Sequence, residues 1–382
     1  MRQTSTAVDR RSAIRQGLML GAMTFGAGRA LARGIPLARA DQPNAESVYR
    51  RAIVLDTLMS NAPDFDPLPA LEAGITGGVF DLAIYPRDQY QADAELDAWG
   101  KAFEAPGGRL KCVLKASDFA AAKSEGKLAV LLNCQDGSIL GTPIYANGDM
   151  NLDTLRRFHA KGLRVLEPTY SSSNGLGSGY TEASDGGLTR LGRAVLIEMN
   201  RLGMLIDLSH CGEKTTLQGI ALSTRPVAVT HAGCHALYPD ERNKRDAVIR
   251  KLADKGGYFG VYNMTLWMTK QPTSSVETIV DHIDHAVKVG GIDLVGFGSD
   301  HPINGDPAPQ AEKVRSMSDF VARNKGFPAG QPMVGHVTAS DLDGVDRLQV
   351  LADALARRRY GSAAIEKILG ANFIRTFAAA CG

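Results

Sequence analysis

Apolar residues in this chain follow two spacings that alternate from about residue 45 onward. Eight short runs are apolar almost throughout: "AIVLDTLMS", "GITGGVFDLAIY", "KLAVLLNCQDG", "LRVLEPTYS", "GMLIDLSHCG", "PVAVTHAG", "GYFGVYNM" and "DLVGFGSDH". Strands buried on both faces of a parallel sheet have this character. Stretches of helical spacing separate most of them. "TRLGRAVLIEMNRLG" offers Leu191, Val195, Ile197 and Leu202 as its apolar face, and "SVETIVDHIDHAVKVG" offers Val276, Ile279, Val280, Ile283 and Val287. Eight βα units without a glycine-rich nucleotide fingerprint predict an α/β fold, a (β/α)8 barrel of the TIM type, with an open doubly wound sheet as the alternative. After the eighth run, "HPINGDPAPQ" predicts a long loop over the barrel mouth. The tail from Ser340 to Phe377 predicts closing helices that cap the barrel, with Arg357, Arg358 and Arg359 on a solvated helix face.

Composition places the chain among globular proteins. Its 382 residues are 44% hydrophobic, and no repeat or linker divides them, so residues 41–382 are expected to form one domain. Residues 1–40 differ, with seven arginines against one aspartate. Arg10 and Arg11 in "DRRSAIRQG" precede the mild apolar stretch "LMLGAMTFGAG" and small-residue cleavage candidates ending at Ala32 or Ala40. This pattern predicts a twin-arginine export signal, with the twin-arginine export machinery as a partner and the periplasm as destination. An ordinary secretory signal or a short membrane anchor is the alternative. The apolar stretch is short and glycine-rich, and no later segment reaches the roughly 20 apolar residues of a span, so no stable membrane span is expected. Because the basic start accounts for more than the whole net charge of +2, the remainder is weakly acidic and gives no electrostatic case for nucleic acid. Five scattered cysteines do not make a disulfide framework, although one pair could form in an oxidising compartment.

In a barrel every strand delivers its last residues to one face, so polar groups at run ends converge. Here they are Asp56, Ser60, Gln135, Asp136, Tyr170, His210, His231, Asp300 and His301. A lone strand-end histidine is more often a satisfied core residue than a ligand. His210 and His231, however, close consecutive runs and offer two imidazole nitrogens to one zinc, while Asp300 offers a base or a further ligand. His282 and His285 stand at i and i+3 on a helix of the outer layer and read as structural. Arg242 in "YPDERNKRD" has the planar fork that grips a substrate carboxylate, with a surface salt bridge as the plain alternative.

With these residues placed, the chain resembles the membrane (renal) dipeptidase family, zinc peptidases of amidohydrolase-like barrel architecture. The resemblance runs from about Asp56 to Phe377 and rests on "GLTRLGRAVLIEMNRLGMLIDLSHCG", "PVAVTHAGCHAL" followed by "ERNKRD", "VGFGSD" and "KILGANFIR", in that order. It implies a small peptide as substrate and a homodimer. It also implies His210 and His231 as metal ligands, Asp300 as the residue that handles the proton, and Arg242 as the partner of the substrate carboxylate. Other positions depart from the family. Leu58 and Ser60 stand where the first strand should carry metal ligands. Gln135 stands at the bridging glutamate, and Tyr170 replaces a substrate-contacting histidine. Leucine cannot ligate and glutamine lacks the bridging charge, so one of two metal sites is expected to be lost. Asp136 would replace the carboxylate only with a shift of strand register by one. The expectation is one zinc per chain, held by His210, His231 and Gln135, with Tyr170 and Asn174 contacting substrate. The implied function is a periplasmic dipeptidase-like hydrolase. A non-hydrolytic tailoring enzyme for a peptide-derived molecule and a peptide-binding protein are the alternatives.

Overall fold

Each apolar run becomes a strand, and a ninth, short strand lies between the second and third runs. The computed structural model describes residues 44–82, 88–141, 149–306, 308–325 and 335–382, and the expected export signal in residues 1–40 lies outside them. The strands are β1 (Leu55–Ser60), β2 (Gly77–Asp81), β3 (Leu110–Cys112), β4 (Leu128–Cys134), β5 (Leu163–Leu166), β6 (Leu205–Ile206), β7 (Ala228–Ala232), β8 (Tyr258–Val261) and β9 (Val295–Phe297). They pair in parallel as two arcs, β1-β2-β4-β5-β6 and β7-β8-β9. Two seams join the arcs. Past β6, Asp207 bridges in parallel to Ala228, and the Leu208 N–H donates to Ala228 O at 2.8 Å. Past β9, the Asp300 N–H donates to Leu58 O at 3.0 Å. Eight staves therefore follow one another around a ring of the expected TIM type. The additional strand, β3, pairs with Leu128–Val130 at the start of β4, while β5 pairs with its later residues.

Strand alternation sorts the core into two layers. Leu55, Val79, Ala129, Leu131, Val165, Leu205, Ala228 and Tyr258 pack together inside the ring, with Phe373 and Phe377 of the helix Asn372–Cys381 against them. The opposite phase, including Val54, Phe80, Val130, Leu132, Leu166, Ile206, Val229 and Phe259, packs against the surrounding helices. The expected capping role of the tail thus belongs to two phenylalanine rings 6.2 Å apart that plug the apolar end of the interior. Two glycines let neighbouring strands approach: a Cβ on Gly78 would collide with Asp56 O, and one on Gly260 with Thr230 O.

Helix Arg190–Leu202 starts at Thr189, whose hydroxyl accepts from the Gly192 N–H at 2.9 Å, and ends at Gly203 in the left-handed conformation. Its buried face carries Val195, Leu196 and Met199. Ile197 was expected on this face but is 58% exposed, since two residues past Val195 a helix has turned about 200°. Among the described residues no helix is long and apolar enough to cross a membrane. All five cysteines are free thiols. Arg358 in the basic run pairs with Glu277, Asp281 and Asp284 of a neighbouring helix, as a solvated face allows.

The tail also reaches the first strand. Arg347, at the start of helix Arg347–Arg357, places Nη1 3.2 Å from Asp56 Oδ2 and 2.9 Å from Ser299 Oγ, and donates from Nη2 to Ile303 O at 2.8 Å. Both charged side chains are 1% exposed. Removing one member of such a pair leaves the other charge buried alone. Arg347→Met is therefore expected to lower unfolding free energy by about 3–5 kcal/mol in urea denaturation, whereas Arg357→Met, on the solvated face, should change it by less than about 1 kcal/mol.

Candidate active site

Beyond the apolar layer the same inward phase turns polar. Two residues past Val79 lies Asp81, and past Leu131 come Asn133 and Gln135. Val165 is followed in phase by Glu167, Leu205 by Asp207 and Ser209, and Ala228 by Thr230. Every one of them except Gln135 is buried. Period-two alternation thus delivers a ring of polar side chains to the carboxyl ends of the strands.

His210 and His231 close this ring across the seam between β6 and β7. Their Nε2 atoms are 2.9 Å apart, and both side chains are buried. Glu167 joins them: one carboxylate oxygen accepts from the His210 N–H at 3.1 Å, and the other, Oε1, is buried without a partner. Ligand atoms of Glu167, His210 and His231 all lie within 4.8 Å of one another. Glu167 stands outside the expected ligand set. Its signal in the sequence was the inward phase of Val165, which puts residue 167 in the interior, whereas the family pattern draws attention to positions 135 and 170.

The other expected residues divide. Gln135, Tyr170, His210, Asp300 and His301 line one cavity of about 380 Å³, together with Ser60, Tyr180, Trp267 and residues of helix Gln310–Lys325 such as Met317 and Phe320. The loop expected over the mouth is present in His301, Pro302 and Asp306, and that helix continues it. Tyr170 stacks on His210, with ring centroids 4.2 Å apart. Gln135 is held by Asp81, which accepts from its main-chain N–H at 3.0 Å and from Nε2 at 2.8 Å, leaving Oε1 buried and unpartnered. Asp81 is a further site residue outside the expected set.

Arg242 and Asn174 do not line the cavity. Arg242 is fully buried behind the histidines, donating to Ser209 O at 2.7 Å and to His210 Nε2 at 3.1 Å, between the rings of Tyr180 and Tyr262. An arginine at a loop tip would present its fork to a ligand, whereas this one packs inward. Asn174 builds a turn instead: Nδ2 donates to Asp136 and to Pro168 O, both at 2.8 Å, and Oδ1 accepts from the Leu176 N–H. Asp136 caps the turn after β4, accepting from the Ser138 N–H at 2.9 Å and from Asn174, and does not replace the bridging carboxylate. Leu58 packs in the interior core, Asp56 is taken by Arg347, and the other strand-end residue of β1, Ser60, faces the cavity. His282 is structural, accepting from the Cys234 N–H at 2.9 Å.

Burial sets the electrostatics. It pushes Glu167 and Asp81 well above the carboxylate range, with Asp207 adding to the effect on Glu167 and Arg242 opposing it. Burial and then the Arg242 charge push both imidazoles well below the usual histidine value, so each is neutral at physiological pH. Asp300 is pushed up to about 7 by burial, with Arg242 opposing and Asp56 reinforcing the shift. Its backbone adopts φ 59, a conformation that Asp and Asn enter more readily than most residues. The strand end is thereby turned so that an ionisable carboxyl with a near-neutral pKa lines the cavity wall.

A family model for membrane dipeptidases (Peptidase family M19) matches residues 64–323. "Uncharacterized dipeptidase C965.12" of Schizosaccharomyces pombe is 34% identical over 212 residues, covering 53% of this chain and 48% of that protein. "Dipeptidase tcpJ" of Claviceps purpurea is 29% identical over 293 residues, covering 76% and 59%. The chain thus spans about half the length of these two relatives. An amidohydrolase structure from Pseudomonas aeruginosa shares the fold with a TM-score of 0.76 at 22% identity, over 88% of this chain and 99% of that one. The family match, together with the ring of parallel strands and the histidine pair at their carboxyl ends, shows that the chain belongs to the membrane dipeptidase family, Peptidase family M19.

Proposed function

We propose that this protein hydrolyses small peptides in the periplasm, using one zinc ion held by Glu167, His210 and His231, with Asp300 as the base. The observation that carries this proposal is the convergence of two neutral imidazoles and a buried carboxylate oxygen that has no other partner. Two histidines and a glutamate are a donor set suited to a catalytic zinc with one open position. The wider family supports a peptidase, and the Claviceps relative carries the name dipeptidase. Bound there, zinc would polarise a carbonyl and make a nearby water more acidic.

The chain's own residues supply the rest. Asp300, on the cavity wall, takes a proton in its ionised form and returns it to the leaving amine in its protonated form, which a pKa near neutrality favours. Tyr170 holds the His210 ring by stacking and presents an aromatic wall to substrate. Burial, reinforced by Arg242, keeps the imidazoles neutral, and the guanidinium places a fixed positive charge behind them, which favours an anionic peptide terminus in the cavity. The cavity has the volume of a small-molecule site and suits a short peptide.

Metal content and turnover are measured together. The purified full chain should carry about one equivalent of zinc by elemental mass spectrometry. Glu167→Gln and a His210→Ala, His231→Ala variant should lose it, and Gln135→Ala should retain it. Near-zero metal after zinc is supplied, with no hydrolysis of a dipeptide panel, would sink the proposal and favour a tailoring chemistry around Tyr170.

Asp300 gives a second expectation. As a base it acts only when ionised, so kcat/KM should rise with pH through about 7 and level off above it. Asp300→Asn tolerates the same backbone conformation and should lower kcat/KM by about 10²–10⁴. Stability should move the other way. With the folded pKa above the unfolded value of about 3.9, the native state binds the extra proton between these two pH values, so this group's contribution declines as pH rises through that window. Asp300→Asn should therefore raise Tm at pH 8 relative to the parent and leave the Tm at pH 4 nearly unchanged.

A further inference from the structure

We infer that Asp207, acting through the Thr230 hydroxyl, fixes His231 in the tautomer that carries its proton on Nδ1 and directs a bare Nε2 lone pair at His210. Both are positioning residues. Asp207 interrupts an otherwise apolar stretch, Met204 to Leu208, and its inward phase sets it below the histidine pair, at the seam between β6 and β7.

The protons available along these contacts dictate the tautomer. Asp207 Oδ1 accepts from the Ser209 N–H at 3.1 Å, the Thr230 N–H at 3.1 Å and the Ser209 hydroxyl at 2.6 Å. Ser209 Oγ in turn accepts from the His231 N–H at 3.2 Å. The Thr230 hydroxyl donates to Asp207 Oδ2. A hydroxyl has one proton to give. With that proton directed at Asp207, the 2.8 Å contact between Thr230 Oγ1 and His231 Nδ1 must be donated by the imidazole. Asp207, Ser209, Thr230 and His231 are all 0% exposed, so bulk water does not compete for these bonds. On the other ring, Arg242 has only protons to offer and donates to His210 Nε2. Two unprotonated nitrogens then lie 2.9 Å apart, His210 Nε2 accepting from the guanidinium and His231 Nε2 keeping its lone pair free for a ligand. The tautomer follows from the protein alone, while its consequence for affinity rests on the zinc proposal.

The test reads the tautomer directly. Metal-free protein labelled with ¹⁵N-histidine is examined by long-range proton–nitrogen NMR, with His231→Ala assigning the signal, and zinc affinity is measured by competition with a chromogenic chelator. The parent should show a protonated Nδ1 and an unprotonated Nε2 at His231. Thr230→Val should mix or reverse the two and weaken zinc about 10- to 100-fold, and Thr230→Ser should restore both. Asp207→Asn is the stricter variant: an amide that donates to Thr230 turns the hydroxyl proton toward Nδ1, so the imidazole proton should move to Nε2. If Asp207→Asn does not fold, the two Thr230 variants decide. A parent-like tautomer in Thr230→Val, or an Nε2-protonated parent, overturns the inference. A parent with the expected tautomer but no measurable zinc affinity overturns the zinc proposal and leaves the relay standing.

Discussion

A closed ring of parallel strands leaves every second side chain nowhere to go but inward, and the rest of this molecule follows from that constraint. Where the inward residues are Leu, Val and Ala they fill the ring, and the rings of Phe373 and Phe377 seal one end. Where they become Asp, Asn, Glu, Ser and Thr, near the carboxyl ends, there is no apolar filling and no bulk water. Each such group needs a partner of its own, because an unpaired buried polar group costs on the order of 1–3 kcal/mol. The side-chain network at the barrel mouth is the solution to that requirement.

The network is rich in carboxyl groups, several of which burial drives toward their protonated form, and its cations are few. Asp56, Asp81, Glu167, Asp207 and Asp300 approach one interior, facing Arg242 on one side and Arg347 on another. Arg347 satisfies Asp56 outright. Asp207 is satisfied by four donors from Ser209 and Thr230. Glu167 keeps one oxygen without a partner, and it is the carboxylate nearest the two imidazoles. An unpartnered carboxyl oxygen and ligand geometry therefore coincide at one place in the barrel.

Much of this was legible in the order of residues, and the remainder fails for identifiable reasons. Eight apolar runs predicted eight staves because strands buried on both faces have little freedom in composition. β3 escaped because three residues, two of them only half-buried, make no run. The histidine pair and Asp300 were visible because each ends an apolar run. Glu167 and Asp81 were equally placed by period two, yet each lies within its run and not at its end, where composition alone does not set it apart. Arg242 was expected at the rim because a sequence of charged residues resembles an exposed loop. Its guanidinium instead finds a carbonyl, an imidazole and two tyrosine rings inside, which local sequence does not reveal. Asp56 and Arg347 meet across 291 positions, a separation over which spacing carries no information.

That long-range pair changes how the first strand can be regulated. In the family pattern this strand carries metal ligands, and a diffusible ion would balance its charge. Here the counter-charge of Asp56 is a guanidinium built into the polypeptide. It has no dissociation constant, cannot be stripped by a chelator and does not vary with the metal supply of a compartment. One wall of the barrel is thus permanently loaded, whereas Glu167, beside the histidines, keeps an oxygen that no group of the described residues satisfies.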